Sequence, residues 1–323
     1  MQLVLNRSVV RGLSVFSLVA CGLLAMASNA AFAQKSKEGE ERYDPVVKTL
    51  ATKDGVNLKA TYYQSNRGKD APVVVLLHQA DGNRQIWQGG EGFAPRLQNE
   101  GYAVLTIDLR GHGESKGDGA GGGGQGGKKS RPLRKQDYIA IIDFDMEAVN
   151  KFLFDEHQAE HLNMNKTAYI GPDMGATVVA YAAVRDWSKL RYEDAPVDSG
   201  MQTPRGENVR ALVLISPQQN IQGFGMAAPM KFLGAPIRNI AFLVCVAERD
   251  SHDKGQAKKT FDQVSSYPKS DERMYFKEYP GNARGTDLLG KRKLEDNIST
   301  FLSKHLKEPQ IPWTDRRPAD DRK

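Results

Sequence analysis

Asp173 is the residue whose position most suggests chemistry. It lies in YIGPDMGATVVAYAAV (169–184), between Gly171 and Gly175, where a short apolar run enters a tight turn and then a helix. A serine nucleophile is the residue expected in such a turn. An aspartate there can attack carbon directly, accept a proton, or hold a cation. Any base must come from six histidines, and none adjoins Asp173 in sequence. His78 ends an apolar run and His112 sits in LRGHGES, so both are expected to be structural. His157 and His161 have the i, i+4 spacing of metal ligands, but no third ligand is near; a solvated helix face is expected and no metal. His252 follows Asp250 by two residues and is the one histidine that could swing toward a neighbouring acid. Cys245 lies inside AFLVCVA and the other cysteine, Cys21, lies near the start of the chain. A buried inert thiol is therefore expected, with no intrachain disulfide and no cysteine-based zinc site.

The elements that must carry these residues read as a parallel α/β sheet. APVVVLL (71–77), YAVLTID (102–108), TAYIG (167–171), ALVLIS (211–216) and AFLVCVA (241–247) are β-branched and nearly continuous, as strands covered on both faces must be. Helical patterns fall between or after them, at 137–154, after Gly175, at 254–267 and at 294–306. Upstream, VVKTLATKDGVNLKATYYQ alternates about Asp54-Gly55 and predicts an antiparallel hairpin at the N-terminal edge of the sheet. Only about two dozen residues separate ALVLIS from AFLVCVA, so any cap is minimal.

Composition sets the outer limits. The chain has 323 residues, 40% of them hydrophobic, which is enough for one sizeable core. Residues 1–33 read as a cleaved signal peptide, with Arg7 and Arg11, the apolar run LSVFSLVACGLLAM and Ala31-Phe32-Ala33 as the cleavage site. An exported protein, periplasmic or extracellular, is expected, with its N-terminus near Gln34 and no stable membrane span after cleavage. LVAC (18–21) resembles a lipobox and makes lipid anchoring at Cys21 the second choice. Loss of the two leader arginines takes the formal charge from +6 to +4, and with no basic helix or aromatic-basic interleaving no nucleic-acid partner is expected. KGDGAGGGGQGGKKSRPLRK (116–135) reads as a flexible basic loop that lacks P-loop spacing. The Pro-rich charged tail 307–323 reads as disordered.

Five stretches then stand in a telling order: VVVLLHQADGNRQIW, GYAVLTIDLRGHGES, GPDMG, CVAERD and YPGNARGTDLL. Together they resemble the α/β-hydrolase superfamily over residues 43–306, in its branch without a large cap. The resemblance implies a nucleophile elbow with Asp173 in the serine's place. It also implies an oxyanion hole built from the backbone N–H of Met174 and of Gln79 or Ala80, with Asp250 as triad acid. Where the family carries its histidine this chain reads Ala283-Arg284-Gly285-Thr286, so Arg284 replaces the base.

Arginine stays protonated and cannot accept a proton, so Ser-His-Asp acyl transfer is not expected at a site with neither serine nor histidine. Two readings follow. The first is a hydrolase-like protein, inactive as a serine hydrolase, in which Asp173, Arg284 and Asp250 pair their charges and the former pocket binds a small acyl or carboxylate ligand without any cofactor. The alternative is an active hydrolase of a small ester or alkyl substrate, with Asp173 as nucleophile and His252 or His78 as an unusual base. It differs from aspartate-nucleophile enzymes of the same fold in following the aspartate with Met174 and in lacking a cap domain.

Overall fold

The computed structural model describes residues 43–322 apart from 89–91, 117–131, 269–271 and 291. The leader and most of the Gly-rich loop, expected at 1–33 and 116–135, lie outside the described residues. Among the described residues there are ten strands: β1 (Val46–Ala51), β2 (Asn57–Tyr63), β3 (Pro72–Leu76), β4 (Ala103–Ile107), β5 (Asn163–Pro172), β6 (Val209–Ile215), the short pair β7 (Asn220–Ile221) and β8 (Phe224–Gly225), β9 (Ala241–Ala247) and β10 (Met274–Tyr279). All but β7 and β8 form one sheet in the order β1-β2-β4-β3-β5-β6-β9-β10. The predicted hairpin is β1–β2, joined antiparallel to the sheet through β4, and every pairing from β4 to β10 is parallel.

Seven α-helices among the described residues flank the sheet: α1 (Phe93–Asn99), α2 (Lys135–Ala140), α3 (Met146–Gln158), α4 (Met174–Trp187), α5 (Ala227–Gly234), α6 (Gln256–Val264) and α7 (Arg292–Leu302). Alternate strand residues divide the core. Val73, Val75 and Leu77 face the layer holding α2 to α6, while Val74 and Leu76 pack with Phe93, Leu97, Leu294, Ile298 and Leu302 from α1 and α7. Each fully buried side chain of this kind stabilises the fold by about 1.5–3 kcal/mol. The predicted helix 137–154 is interrupted: residues Ile141–Asp145 make a π-turn that turns Asp145 inward, where its carboxylate meets Arg110. That arginine also pairs with Asp54 of the β1–β2 turn, which fastens the hairpin to the sheet.

Two differences from the sequence reading have physical causes. The edge strand β10 carries no continuous apolar run, because only Met274 and Tyr279 are buried in it. More consequential is the C-terminal stretch, expected to be disordered. Trp313 stacks on His157, with ring centroids 4.9 Å apart, and donates to the His157 carbonyl at 2.9 Å. The Arg316 guanidinium is buried against Asn165 Oδ1 at 2.8 Å and the Gly206 carbonyl. Asn163 and Asn165 take up the carbonyls of Ile311 and Pro312. The segment has few aliphatic residues, but its backbone and its Trp and Arg satisfy polar groups that the amino ends of β5 and β6 leave open.

Candidate functional site

The elbow is built by close approach of two glycines. A Cβ on Gly171 would lie 2.3 Å from the carbonyl carbon and oxygen of Gly175, and one on Gly175 would lie 2.9 Å from the His78 carbonyl oxygen. Neither neighbour can give way, since both are backbone. Between them Asp173 adopts φ 50°, ψ −113°, a strained conformation for a side chain-bearing residue, held by its N–H donating to Ile215 O at 2.8 Å. Asp173 precedes the first turn of α4, where a carboxylate could accept free N–H groups, but it makes no such cap.

Its carboxylate turns to the neighbouring loops instead. Oδ1 accepts from Arg284 Nη2 at 2.6 Å and from Gln218 Nε2 at 2.8 Å. The other guanidinium nitrogen, Nη1, reaches Asp250 Oδ2 at 2.8 Å. One cation therefore bridges two carboxylates, one nitrogen to each, rather than forming a two-pronged pair with Asp173 alone. Burial by itself would lower the Arg284 pKa; the hydrogen bonds and charges of Asp173 and Asp250 outweigh it and raise the group above its ordinary value. Asp250 has its side chain wholly buried, and its second oxygen accepts the His252 N–H at 2.9 Å, closing the turn after β9.

The Arg284 loop is clamped from both sides. The Gly285 N–H donates to Ser216 Oγ at 3.0 Å and the Thr286 N–H to Gln79 Oε1 at 2.9 Å, while Gln79 Nε2 donates to Asp81. Gly285 has φ 54°, and a Cβ there would meet Gln79 Oε1 at 2.2 Å, so the glutamine amide fits only against glycine. Ser216 and Gln218, just after β6, were not singled out from the sequence. Their signal was weak: both fall in a polar stretch, SPQQN, with nothing to distinguish it from a connecting loop.

The N–H groups of Met174, Gln79 and Ala80 donate to no protein acceptor among the described residues, which leaves the expected oxyanion donors free. The loop bearing two of them is fixed by histidines. His78 is fully buried, with Nδ1 2.8 Å from the Gln79 carbonyl and Nε2 accepting the Leu109 N–H at 3.1 Å. Burial, with the nearby His112, brings its pKa down to about 3, so it is a neutral structural group. His112 spans the Arg110 and Ala80 carbonyls. His252 is exposed, and its bond to Asp250 is through backbone. His157 is buried under Trp313 and His161 pairs with Glu156, so the two do not converge; the described residues hold no cluster suited to a metal. Among the described residues, Asp173 has no histidine partner. Burial pushes the Cys245 thiol up to about 12, as its position in β9 requires.

What converges at the carboxyl edge of β5, β9 and β10 is thus an ion triad beside two sets of free backbone donors. A carboxylate held this way is a weakened nucleophile, because Oδ1 is engaged by a guanidinium and an amide and the guanidinium stabilises the charge that the two oxygens share.

The order of these parts agrees with comparisons to known proteins. The profile of the alpha/beta hydrolase fold matches residues 72–233. Among solved structures, a thermostable carboxyl esterase from Bacillus coagulans in complex with glycerol is similar at TM-score 0.55 and 12% identity, over 82% of this chain and 99% of that one. The Pyrococcus furiosus esterase Pf2001 is similar at TM-score 0.52 and 16% identity, over 82% and 94%. An esterase from Pyrobaculum calidifontis is similar at TM-score 0.52 and 14% identity, over 81% and 86%. No curated protein sequence is significantly similar. At such identities the structural likeness establishes the fold alone, and with the matched profile, the strand order and the glycine elbow it leads to one assignment: the chain belongs to the α/β-hydrolase fold family.

Proposed function

We propose that this chain is an exported α/β-hydrolase-fold protein that has lost serine-hydrolase catalysis and uses the former active-site pocket to bind a small acyl or carboxylate group. One observation carries the reading: Arg284 bridges Asp173 and Asp250 at 2.6 and 2.8 Å, and we read the three as standing at the base, nucleophile and acid positions of the fold. Arginine cannot take a proton from a nucleophile or a water, so neither acyl transfer nor hydrolysis of an aspartyl ester has a base. The free N–H groups of Met174, Gln79 and Ala80 need no side-chain chemistry to receive a ligand oxygen, which is why binding outlasts the loss of turnover. Export rests on the leader alone, and mass spectrometry of the secreted protein should find an N-terminus at or near Gln34.

The test is an ester-hydrolysis assay with p-nitrophenyl acetate and butyrate on the wild type, on Asp173→Ser, on Arg284→His and on the double variant. No saturable turnover is expected for the wild type or either single variant, and weak turnover for the double, since Asp250 and the backbone donors are retained. Saturable wild-type turnover that disappears in Asp173→Asn would overturn the proposal in favour of an aspartate nucleophile.

A further inference from the structure

A cavity of about 370 Å³ lies at the other end of β5 from the elbow, between α3, the end of β1 and the segment 189–208. Met164 lines it and Pro172 ends the same strand at the elbow, so the two places are about 25 Å apart along the strand. The volume falls in the range of small-molecule sites. Its composition is asymmetric. Ala51, Ala148, Phe154, Met164 and Tyr192 supply apolar wall, while four cations and two carboxylates surround them.

Pairing decides which charges are available. Lys189 is tied to Glu147 at 2.8 Å and Lys151 to Asp155 at 2.6 Å, so both acids are neutralised locally. Lys53 has no ion-pair partner among the described residues, and Arg205 has only the Tyr192 ring, 5.2 Å from its guanidinium carbon. Both are exposed. The cavity thus combines apolar walls with two unspent positive charges.

We infer that this cavity binds an aliphatic carboxylate, its chain against Phe154 and Met164 and its head group between Lys53 and Arg205. A neutral ligand of the same shape would gain the apolar burial without the ion pairs, and a cation would meet two like charges. The inference is independent of how the elbow is read, since no residue is shared between the two places.

Isothermal titration of the full chain with octanoate, 1-octanol and octylamine tests it. In the Arg284→Ala background, which removes the elbow's cation, octanoate should still bind saturably, about tenfold more tightly than octanol, with octylamine weakest. The double variant Lys53→Gln/Arg205→Gln changes only exposed side chains. It should bring octanoate down to the octanol level and leave octanol unchanged. Ala51→Trp, at an exposed wall position, should weaken all three ligands by obstructing the cavity. Absence of saturable octanoate binding, equal binding of the three ligands, or indifference to the Lys53/Arg205 variant would overturn the assignment. So would loss of octanoate binding in Asp173→Ala or Arg284→Ala instead, which would put the anion at the elbow.

Discussion

Replacing Arg284 by alanine asks what the ion triad contributes. The change removes one cation and strands two carboxylates in unequal surroundings. Asp250, whose side chain is fully buried, loses its only charged partner among the described residues and keeps one N–H, from His252. A lost hydrogen bond to a charged group of that kind costs about 1.5–3 kcal/mol. Asp173, about one-fifth exposed, keeps Gln218 and can draw on solvent, so its loss is closer to 0.5–1 kcal/mol. The total is about 3 kcal/mol, which for a domain of this length lowers Tm by about 5 °C. Differential scanning calorimetry at neutral pH measures it. The charge-free combination Arg284→Met, Asp173→Ser, Asp250→Asn should lose less than the single change, because no carboxylate is left without a partner. If Arg284→Ala melts within about 1 °C of the wild type, or if the three changes simply add, the triad does not hold these loops and Asp173 is explained by its turn geometry alone.

Other outcomes follow from particular contacts. Gly171→Ala sets a methyl against Gly175 backbone and should cost more than about 4 kcal/mol, seen as loss of soluble folded protein, whereas Gly200→Ala, with open space around it, should cost about 1 kcal/mol for its left-handed φ. His78 has a folded pKa of about 3 against 6.5 in the free side chain, so the unfolded chain binds the proton first; its contribution is fully present above pH 6.5 and is lost as pH falls toward 3. His78→Gln, which can still accept the Leu109 N–H, should flatten that part of a Tm-against-pH profile. Arg316→Met keeps the apolar stem but removes the bonds to Asn165 and Gly206, and should lower stability by about 2 kcal/mol in urea titration. Limited proteolysis should then cut within 308–322 in the variant and spare it in the wild type.

The central strands and the elbow were legible because their signals are local. Five apolar runs fall on β3, β4, β5, β6 and β9, and Gly171 and Gly175 leave room for one kind of turn. The convergence of Asp173, Asp250 and Arg284 was legible only through the order of motifs, since they lie 77 and 34 residues apart in sequence. Ser216 and Gln218 escaped notice because side-chain hydrogen bonds across loops leave no periodic trace. The same is true of Trp313 and Arg316, whose partners His157 and Asn165 are more than 150 residues away. The Lys53–Arg205 cavity is assembled from β1, α3 and a long connection, and no stretch of sequence announces it.

The docking of Trp313 and Arg316 also orders events in time. During synthesis His157 and Asn165 leave the ribosome well over a hundred residues before the side chains that cover them, so the amino ends of β5 and β6 must wait with polar groups and an aromatic surface open to whatever is nearby. A chain interrupted anywhere before Trp313 carries that open edge permanently. A quality-control protease that recognises exposed backbone at a sheet end could therefore tell an unfinished molecule from a finished one by a single tryptophan and a single arginine.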